Sequence, residues 1–563
     1  MGEMATGSGW WRDAVVYQVY VRSFADGNGD GTGDIAGLRD RLDYLRDLGV
    51  DALWINPWYQ SPLRDGGYDV ADYRKIDPRF GTVEEVELLV AEAHERGIRI
   101  IADLVPNHTS SDHVWFQEAL ASAPGSDARS RYHFHDGDED GTTPPSNWTA
   151  VFGGSAWEQV DDGQWYLHLF DTSQPDLNWA NEEVRAEFDD VLRFWLERGI
   201  DGFRIDVAHG LVKDTEFPDV ERAGVILEAE KIGNHPHWDR DGVHEINRRW
   251  RAILNEYDDR MMVAEAWVAA DRLPLYLRED EYHQSFNFDL LEAEWDAAEF
   301  AEIIDRSVAA AEAVAAPSTW VLSNHDVMRH ASRYGLAKDT NWRRWPMRGK
   351  AEEMDVALGQ QRARAAALVT LSLPGSAYVY QGEELGLPEV WDLPEEVLDD
   401  PTWERSGRTE KGRDGARVPL PWKPEGPSFG FGDSEPWLPQ PAVFGELSAA
   451  RQVDDESSML ALYRTAIKLR REHLGSGLDF SIETVEDEVL RYRHGPLRVL
   501  VNMGDAPVPV CPKGPLCWPQ DRSRTTWCRR AQHYGWWTFS EENLSLSEVE
   551  NCLLHKIVKR WLR

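Results

Sequence analysis

The stretch GIDGFRIDVAHG, residues 199–210, gives the clearest indication of the fold. It contains an apolar run typical of a buried strand, and charged side chains stand at the end of that run. Asp206 closes the run, two residues after Arg204. In a barrel of parallel strands, the catalytic groups lie at the carboxyl ends of those strands. The stretch therefore predicts one strand of such a barrel, with Asp206 on its catalytic rim.

Other parts of the chain repeat this pattern. Apolar runs typical of strands alternate with helical segments such as GLRDRLDYLRDLG (37–49), in which leucines recur every three or four residues. This alternation predicts βα units, a parallel sheet and, with eight units, an α/β fold of the (β/α)8 TIM barrel type. The predicted strands cover residues 14–24, 50–57, 98–108, 199–210, 260–268, 283–289, 319–327 and 376–386, and 283–289 has the weakest pattern.

Two segments predict additions to this barrel. Residues 106–178, after the third strand, are irregular and too long for a plain loop, so we expect a small inserted subdomain. After residue 454 the sequence predicts a helix followed by a strand-turn-strand pattern, so we expect a small C-terminal β-sandwich there. The predicted domains are a catalytic barrel over 1–105 and 179–454, an inserted subdomain over 106–178, and a C-terminal β domain over 455–510.

The C-terminal tail, residues 511–563, differs from the rest of the chain. It contains all four cysteines, and its nine Lys and Arg outnumber its five Asp and Glu. The alternating strand pattern is also lost there. We expect a tail foreign to the core fold; a cysteine-bearing metal module is the alternative, although no C-x-x-C pair is present.

The charge of the chain narrows the classes of function. The 60 basic and 99 acidic residues give a formal net charge of −39 at pH 7, which disfavours nucleic acid and anionic lipid as partners. No apolar run is long enough to span a bilayer, and the N-terminus lacks the pattern of a secretory signal. We therefore expect a cytoplasmic protein with a small-molecule substrate, without nucleic-acid or membrane partners, as a monomer or small homo-oligomer.

Three carboxylates end predicted strands, namely Asp206, Glu265 in VAEAW and Asp326 in SNHD. The guanidinium of Arg204 favours an ionised nucleophile at Asp206, whereas Ala and Trp beside Glu265 predict an apolar setting for a general acid. Three acids on one rim repel one another, which pushes one of them toward its protonated form. Glycoside hydrolysis uses such a set, with nucleophile and acid/base about 5 Å apart in retaining enzymes.

Over roughly residues 10–510 the chain resembles glycoside hydrolase family 13, the α-amylase family. The matching segments occur in the family's order and are DLVPNH (103–108), QPDLNW (174–179), GFRIDVAHG (202–210), EAW (265–267) and SNHD (323–326). The resemblance implies Asp206 as nucleophile, Glu265 as acid/base and Asp326 as transition-state stabiliser. It also implies that His108, Arg204 and His325 bind the sugar whose bond is cut, with Tyr68 of DGGYDVADY (65–73) under its ring.

Within the family, QPDLNW and GRDGARVPLPW (412–422) resemble the branch of exo-acting α-glucosidases and oligo-1,6-glucosidases. Members of that branch usually carry Thr where this chain has Val418. The resemblance implies that Arg413 pairs with Asp65 and closes the pocket around a terminal glucose. Phe170 and Gln174 are expected to line the same pocket. From the residues alone, Arg413 could also be a surface arginine and Phe170 a core residue.

The loop DGNGDGTGDIAG (26–37) is similar to an EF-hand loop, but Gly37 stands where that loop needs a bidentate Glu. It also follows a strand rather than a helix. The family branch carries a divalent-cation site here, so we expect one structural Ca²⁺ or Mg²⁺ and no organic cofactor. The expected ligands are the side chains of Asp26, Asn28, Asp30 and Asp34 and the carbonyl of Thr32. A Gly-rich polar turn without a cation is the alternative.

These features predict a retaining α-glucosidase that releases glucose from the non-reducing end of maltose and short α-1,4-linked oligosaccharides, with transglucosylation as a side activity. Val207, after the nucleophile, tends to accompany α-1,6 bonds in relatives. The following AHG looks more like actinobacterial α-glucosidases that accept maltose, which favours α-1,4 bonds.

Three alternatives stay open. The first is an oligo-1,6-glucosidase acting on substrates of the isomaltose type. The second is a glucosyltransferase or isomerase such as trehalose synthase, although the RLDRD loop typical of the sucrose isomerases is absent from the sequence. The third is a non-catalytic amylase-like protein, but such proteins have lost catalytic acids that this chain keeps.

Overall fold

The computed structural model describes residues 9–138, 140–220, 235–475, 477–486, 488–506, 508–509, 530–531 and 536–539. Eight parallel strands form its central sheet, at the positions that the sequence pattern predicts. They are β1 (Val15–Val19), β2 (Ala52–Ile55), β3 (Arg99–Leu104), β4 (Gly202–Ile205), β5 (Met261–Ala264), β6 (Gln284–Ser285), β7 (Thr319–Val321) and β8 (Ser376–Tyr380).

The sheet curves into a barrel because β1 pairs with both β2 and β8 while the other strands follow in chain order. Between β6 and β7 the closure uses a side chain, since the Thr319 hydroxyl donates to the Ser285 carbonyl and accepts from the Asn287 amide. The predicted (β/α)8 barrel is therefore confirmed. Aromatic rings from the strands pack in its interior, with ring centroids 5.2 Å apart for Trp54 and Phe286 and 4.8 Å for Phe286 and Tyr378.

Helices follow the strands and pack their apolar faces on the barrel. The four leucines of the segment 37–49 are buried, as their helical spacing predicts. The helix Val83–Glu95 begins with a capping box formed by Thr82 and Glu85, which satisfies two of its first backbone amides. The longer helices are Ile35–Asp40, Leu42–Leu48, Val83–Glu95, Val114–Ala121, Glu182–Leu196, Val243–Leu254, Ala297–Ala313, Val356–Ser372 and Met459–His473.

Shorter elements complete the described part of the barrel and its loops. A two-stranded antiparallel sheet joins Tyr59–Gln60 to Asp72–Ile76. Short α-helices are Asp127–Ser130, Leu273–Tyr276, Phe288–Glu292, His330–Arg333, Trp345–Arg348, Pro401–Arg405, Val443–Glu446 and Ala449–Gln452. None of the helices in the described ranges has the length and apolar character that crossing a membrane requires.

The segment between β3 and the helix Glu182–Leu196 holds a small sheet of its own. Its antiparallel strands are Phe134–His135, Trp157–Gln159 and Trp165–Leu167, with the last in the centre. The segment returns to the barrel through a backbone bridge between His108 and Asp176. This bridge brings the QPDLNW motif beside the end of β3.

The C-terminal region contains one antiparallel sheet of four strands, Phe480–Glu486, Val489–His494, Leu497–Asn502 and Trp536–Phe539. A separate ladder pairs Val508–Pro509 with Arg530–Ala531. The predicted antiparallel C-terminal unit is thus present and consists of the four-stranded sheet and the separate short ladder. Backbone of the tail takes part in it, because Trp536–Phe539 pairs with Leu497–Asn502. The four cysteines lie outside the described residues, and the foreign origin of the tail stays a prediction.

Candidate active site

Three strand ends converge on one buried guanidinium. Arg204 points from β4 toward the rim, where its Nη1 contacts Asp206 Oδ1 closely and lies 3.0 Å from Asp103 Oδ1 at the end of β3. Its Nη2 lies 2.8 Å from Glu265 Oε2, after β5. Asp206 and Glu265 thus contact the two terminal nitrogens of the same guanidinium. The carboxyl groups of the predicted nucleophile and acid/base are therefore neighbours.

Burial dominates the protonation of this group. It raises the pKa of Asp206 well above the ordinary value; Arg204 opposes this effect, and the negative charges of Glu265 and Asp103 add to it. Arg204 therefore favours the ionised form of Asp206, as the sequence predicts, but desolvation of the carboxyl acts in the opposite direction.

Glu265 lies among hydrogen-bond donors, so the apolar setting predicted from its neighbours in sequence is wrong. The amide of Val207 is 2.9 Å from Oε2, and the indole Nε1 of Trp267 is 3.1 Å from Oε1. Trp267 instead uses its apolar face against Phe288, at a centroid distance of 3.8 Å. Val207 adopts a φ of +46°, a strained conformation for a β-branched residue that is found at functional sites.

Asp326 is held as a carboxylate by the histidine and the two arginines beside it. Burial raises its pKa, but His325, Arg413 and Arg417 together lower it well below its usual value. Arg413 Nη1 and Arg417 Nη2 lie 3.1 and 3.0 Å from Asp326 Oδ1. The Asp326 side chain keeps 31% of its surface accessible, against 8% for Asp206 and 12% for Glu265, so it is the acid most open to a bound solute.

Two predicted sugar-binding residues form a stacked aromatic pair. The rings of Tyr68 and His325 lie 5.2 Å apart and within 7° of parallel. The Tyr68 hydroxyl donates to Asp103 Oδ2 at 2.9 Å, and Gln18 Nε2 lies 2.8 Å from His325 Nδ1. Burial lowers the pKa of His325 well below its usual value, so the imidazole is neutral near pH 7.

Arg413 connects the pocket wall to the catalytic rim. Its Nη2 lies 2.6 Å from Asp65 Oδ1, and its Nε contacts Asp400 Oδ2 closely. The guanidinium also lies 4.9 Å from the ring centroid of Phe152. The structure thus forms the Arg413–Asp65 pair that the resemblance implies, and Arg413 reaches Asp326 as well.

The inserted segment supplies the other wall. Gln174 Nε2 donates to Asp65 Oδ2 at 2.9 Å and lies 3.1 Å from His108 Nε2. The ring of Phe170 lies 5.1 Å from His108 and 5.9 Å from Phe152. The structure therefore places Phe170 against pocket residues, together with Gln174 and His108.

Comparison with known proteins agrees with this geometry. Residues 18–476 match the family model described as alpha amylase, catalytic domain. The chain belongs to the α-amylase family of glycoside hydrolases. Among its relatives, the oligo-1,6-glucosidase of Heyndrickxia coagulans is 36% identical over 513 residues, covering 82% of this chain and 85% of the relative. The probable alpha-glucosidase of Rhizobium meliloti is 38% identical over 481 residues, covering 82% of each.

Solved structures of other enzymes share the fold of this α-amylase-family chain. An alpha-glucosyl transfer enzyme, XgtA, superimposes with a TM-score of 0.79 at 34% identity, covering 89% of this chain and 92% of the other. The trehalulose synthase MutB superimposes with a TM-score of 0.79 at 31% identity, covering 94% and 99%.

Several residues that contact the site residues of this α-amylase-family chain were not predicted from its sequence. Asp103 is part of DLVPNH, and Arg417 follows Arg413 by four residues in GRDGARVPLPW, so a signal for both was present. Asp400 and Lys213 belong to none of the matching segments. Their contacts with Arg413 and with the loop after β3 become visible only in the folded chain.

The predicted cation loop is ordered by its own carboxylates. Asp34 accepts hydrogen bonds from the amides of Gly27, Asn28 and Gly37, and it caps the helix Ile35–Asp40. Further loop bonds run from the Gly29 and Gly31 amides to Asp26, from the Asp30 amide to Asn28 and from the Thr32 amide to Asp30. These oxygens suit a hard cation. Within the described ranges, however, no three Asp, Glu, His or Cys side chains converge as metal ligands, so the cation stays a prediction.

Proposed function

We propose that the chain is a retaining, exo-acting α-glucosidase that releases glucose from the non-reducing end of maltose and short α-1,4-linked oligosaccharides. One observation carries this proposal: Asp206 Oδ1 and Glu265 Oε2 contact the two terminal nitrogens of one guanidinium, that of Arg204. Inverting glycosidases need room for a water molecule between their two carboxyls, which are then about 6.5–9.5 Å apart. Two carboxyls bound side by side to one guanidinium support the shorter separation of the retaining route.

In the first step, Asp206 as carboxylate forms a bond to the anomeric carbon while the bond to the leaving oxygen breaks. That oxygen takes a proton from Glu265, which acts as the general acid in this step. In the second step, Glu265 takes a proton from water, the water oxygen bonds to the anomeric carbon, and Asp206 leaves. Two inversions give net retention of the α anomer.

Other residues of the site have two roles in the proposal. They stabilise the positive charge that develops on the sugar in the transition state, and they fit one terminal glucose. Asp326 stays ionised beside Arg413 and Arg417, so it can stabilise the oxocarbenium-like transition state. The Arg413–Asp65 pair and Gln174 connect the barrel wall to the inserted segment. A pocket closed on that side admits a chain end rather than the middle of a chain, which supports exo action.

A sugar hydroxyl can replace water in the second step, so we include transglucosylation as a side activity. XgtA, an alpha-glucosyl transfer enzyme, and MutB, a trehalulose synthase, share this fold. A glucosyltransferase or isomerase is therefore a rival reading. The catalytic acids remain together on the rim, which argues against a non-catalytic protein.

Cleavage of α-1,6 bonds is the second candidate specificity. The oligo-1,6-glucosidase of Heyndrickxia coagulans and Val207 after the nucleophile favour it. The AHG that follows Val207 favours α-1,4 bonds. Within the proposal, the substrate is a small neutral α-glucoside, in keeping with the acidic net charge of −39. A cytoplasmic location belongs to the same proposal.

The test is hydrolysis of maltose and isomaltose in parallel, with the anomer of the first glucose released followed by proton NMR. We expect α-glucose first and faster turnover of maltose. Release of β-glucose would contradict retention, and faster turnover of isomaltose would select the second specificity. Formation of trehalose or isomaltulose as the main product from maltose or sucrose would select the rival reading. Asp206→Ala serves as the inactive control.

A further inference from the structure

A fully buried ion pair joins the loop after β4 to the inserted segment. Lys213, seven residues after Asp206, has a side chain with 0% accessible surface, and so does its partner Asp176. The Lys213 Nζ lies 2.7 Å from Asp176 Oδ2 and 2.6 Å from Asn107 Oδ1. The ammonium therefore ties the loop after β4 to the loop after β3 and to the inserted segment.

This contact determines the orientation of the Asn107 amide. A lysine ammonium has three donors and no acceptor, so the Asn107 atom facing it must be the oxygen. The amide nitrogen of Asn107 then points the other way, 3.0 Å from Asp176 Oδ2 and 3.2 Å from His108 Nδ1. A donor facing Nδ1 requires a lone pair there, so the proton of the neutral imidazole is on Nε2. The Tyr68 carbonyl, 3.1 Å from Nε2, accepts it.

The opposite tautomer also has partners close by. If the Asn107 amide turned over, its oxygen could accept a proton from His108 Nδ1. The free Nε2 lone pair could then accept from Gln174 Nε2, which lies at 3.1 Å. Gln174 is fixed in that orientation because its Oε1 accepts from the Asp171 amide at 2.9 Å. In each tautomer both His108 ring nitrogens have a partner, and the Asn107 orientation decides between them; with the proton on Nε2, the Gln174 amide nitrogen donates to Asp65 and not to His108.

We propose that Lys213 is a positioning residue, which holds the Asn107 amide in one orientation and thereby keeps the His108 proton on Nε2. Burial lowers the pKa of His108 to about 4, so the imidazole is neutral at pH 7 and its tautomer matters. Nε2 is the nitrogen on the side of Gln174, which donates to Asp65. A sugar hydroxyl on this side would meet that N–H as a donor shared with the Tyr68 carbonyl; this consequence, though not the tautomer itself, rests on the proposed function.

The test uses nitrogen-15-labelled histidine in the full chain and two-bond proton–nitrogen correlation spectra, which distinguish the two neutral tautomers. The His108→Gln variant assigns the signal by its loss. In the wild-type chain we expect the Nε2–H tautomer. Asn107→Asp keeps the size of the side chain but cannot donate to Nδ1, so we expect the proton to move to Nδ1. Lys213→Met releases the amide, and we expect a mixture of both forms.

Asn247→Asp is the matched control. Asn247 is equally buried, and its amide nitrogen lies 3.1 Å from Glu281 Oε2, in a network outside the site. We expect it to lower the melting temperature as Asn107→Asp does, while leaving the His108 signal unchanged. For hydrolysis, we expect Asn107→Asp to raise KM roughly tenfold, the cost of one hydrogen bond, with a smaller effect on kcat. The control should leave KM unchanged.

A wild-type His108 with its proton on Nδ1 would overturn the proposal whatever the Lys213 and Asn107 variants do. So would a folded Lys213→Met protein whose His108 stays wholly in the Nε2–H form. If the tautomers behave as expected but the wild-type chain hydrolyses no α-glucoside, the positioning role stands and the proposed function fails. If hydrolysis is observed but the His108 tautomer does not change in the variants, the proposed function stands and the positioning role of Lys213 fails.

Discussion

The guanidinium of Arg413 lies 2.6 Å from the carboxylate of Asp65, although the two residues are 348 positions apart in the chain. The same side chain reaches Asp400 and Asp326, so one cation connects the pocket wall with the catalytic rim. Asp400 is fully buried, and Arg413 and Arg417 lower its pKa to about 2 against the effect of burial. The arginine therefore contacts three carboxyl groups at once.

Replacing Arg413 tests whether this contact closes the pocket. Arg413→Lys keeps the charge, but an ammonium cannot reproduce the forked geometry that reaches three carboxylates. We expect kcat/KM on maltose to fall roughly tenfold to a hundredfold, as charged hydrogen bonds are lost. Arg46→Lys, in an exposed ion pair, is the control and should change nothing. Wild-type kinetics in the Arg413 variant would show that the pair is not part of the glucose pocket.

The acid role of Glu265 is tested by varying the leaving group. In Glu265→Gln the side chain has no proton to give, which removes general acid catalysis worth about 10²–10⁴-fold on maltose. A nitrophenyl α-glucoside needs little protonation of its leaving oxygen, so we expect its first step to be much less affected. The measurement is the burst of nitrophenol against the steady-state rate. An equal loss on both substrates would remove Glu265 from the acid role.

The buried Glu383 predicts how stability depends on pH. Its oxygens accept from the Tyr380 amide and the Tyr463 hydroxyl, and burial raises its pKa to about 8. An unfolded glutamate has a pKa of about 4.3, so the stabilisation by the neutral form is complete below that pH. It is lost as the pH rises through about 8. We expect the melting temperature to fall as the pH rises from about 4.3 to about 8 and then to level off, and to fall less in Glu383→Gln. Parallel curves for both proteins would contradict this.

The predicted divalent cation has its own test. If the loop binds Ca²⁺ or Mg²⁺, removal by a chelator should lower the melting temperature, because ligand binding to the folded state stabilises it. Asp30 accepts one bond, from the Thr32 amide, and is exposed, so Asp30→Ala should abolish the chelator effect without damage to the core. We expect little change in kcat in either case. No metal by elemental analysis, with an unchanged melting temperature, would reject the site.

The barrel could be predicted from the amino-acid sequence because the patterns that indicate its strands and helices are local. The spacing of leucines in 37–49 and the apolar runs that become β1 to β8 reflect helical and strand periodicity, which depends on neighbours along the chain. The polar residues at strand ends likewise identify the rim. Asp206 and Glu265 could be predicted as a pair in this way, because parallel strands bring their carboxyl ends to one side.

Other features of the site depend on atoms that the sequence does not place. The donors around Glu265 come from a strained Val207 amide and from Trp267, whose indole nitrogen turns toward the acid. Burial outweighs Arg204 in the protonation of Asp206, and the degree of burial depends on every segment that packs there. The strand Trp536–Phe539 likewise joins a sheet although its sequence shows no strand pattern that we recognised.

The sequence alone was enough to predict the eight-unit barrel, the three acids at its strand ends and their order along the chain, since each follows from short-range patterns and from the direction of parallel strands. Only the tertiary structure decided that Arg413 meets Asp65 and Asp400, and that Lys213 controls the amide beside His108. The physical reason is that hydrogen-bond partners and desolvation are set by distances between segments that meet only when the barrel closes.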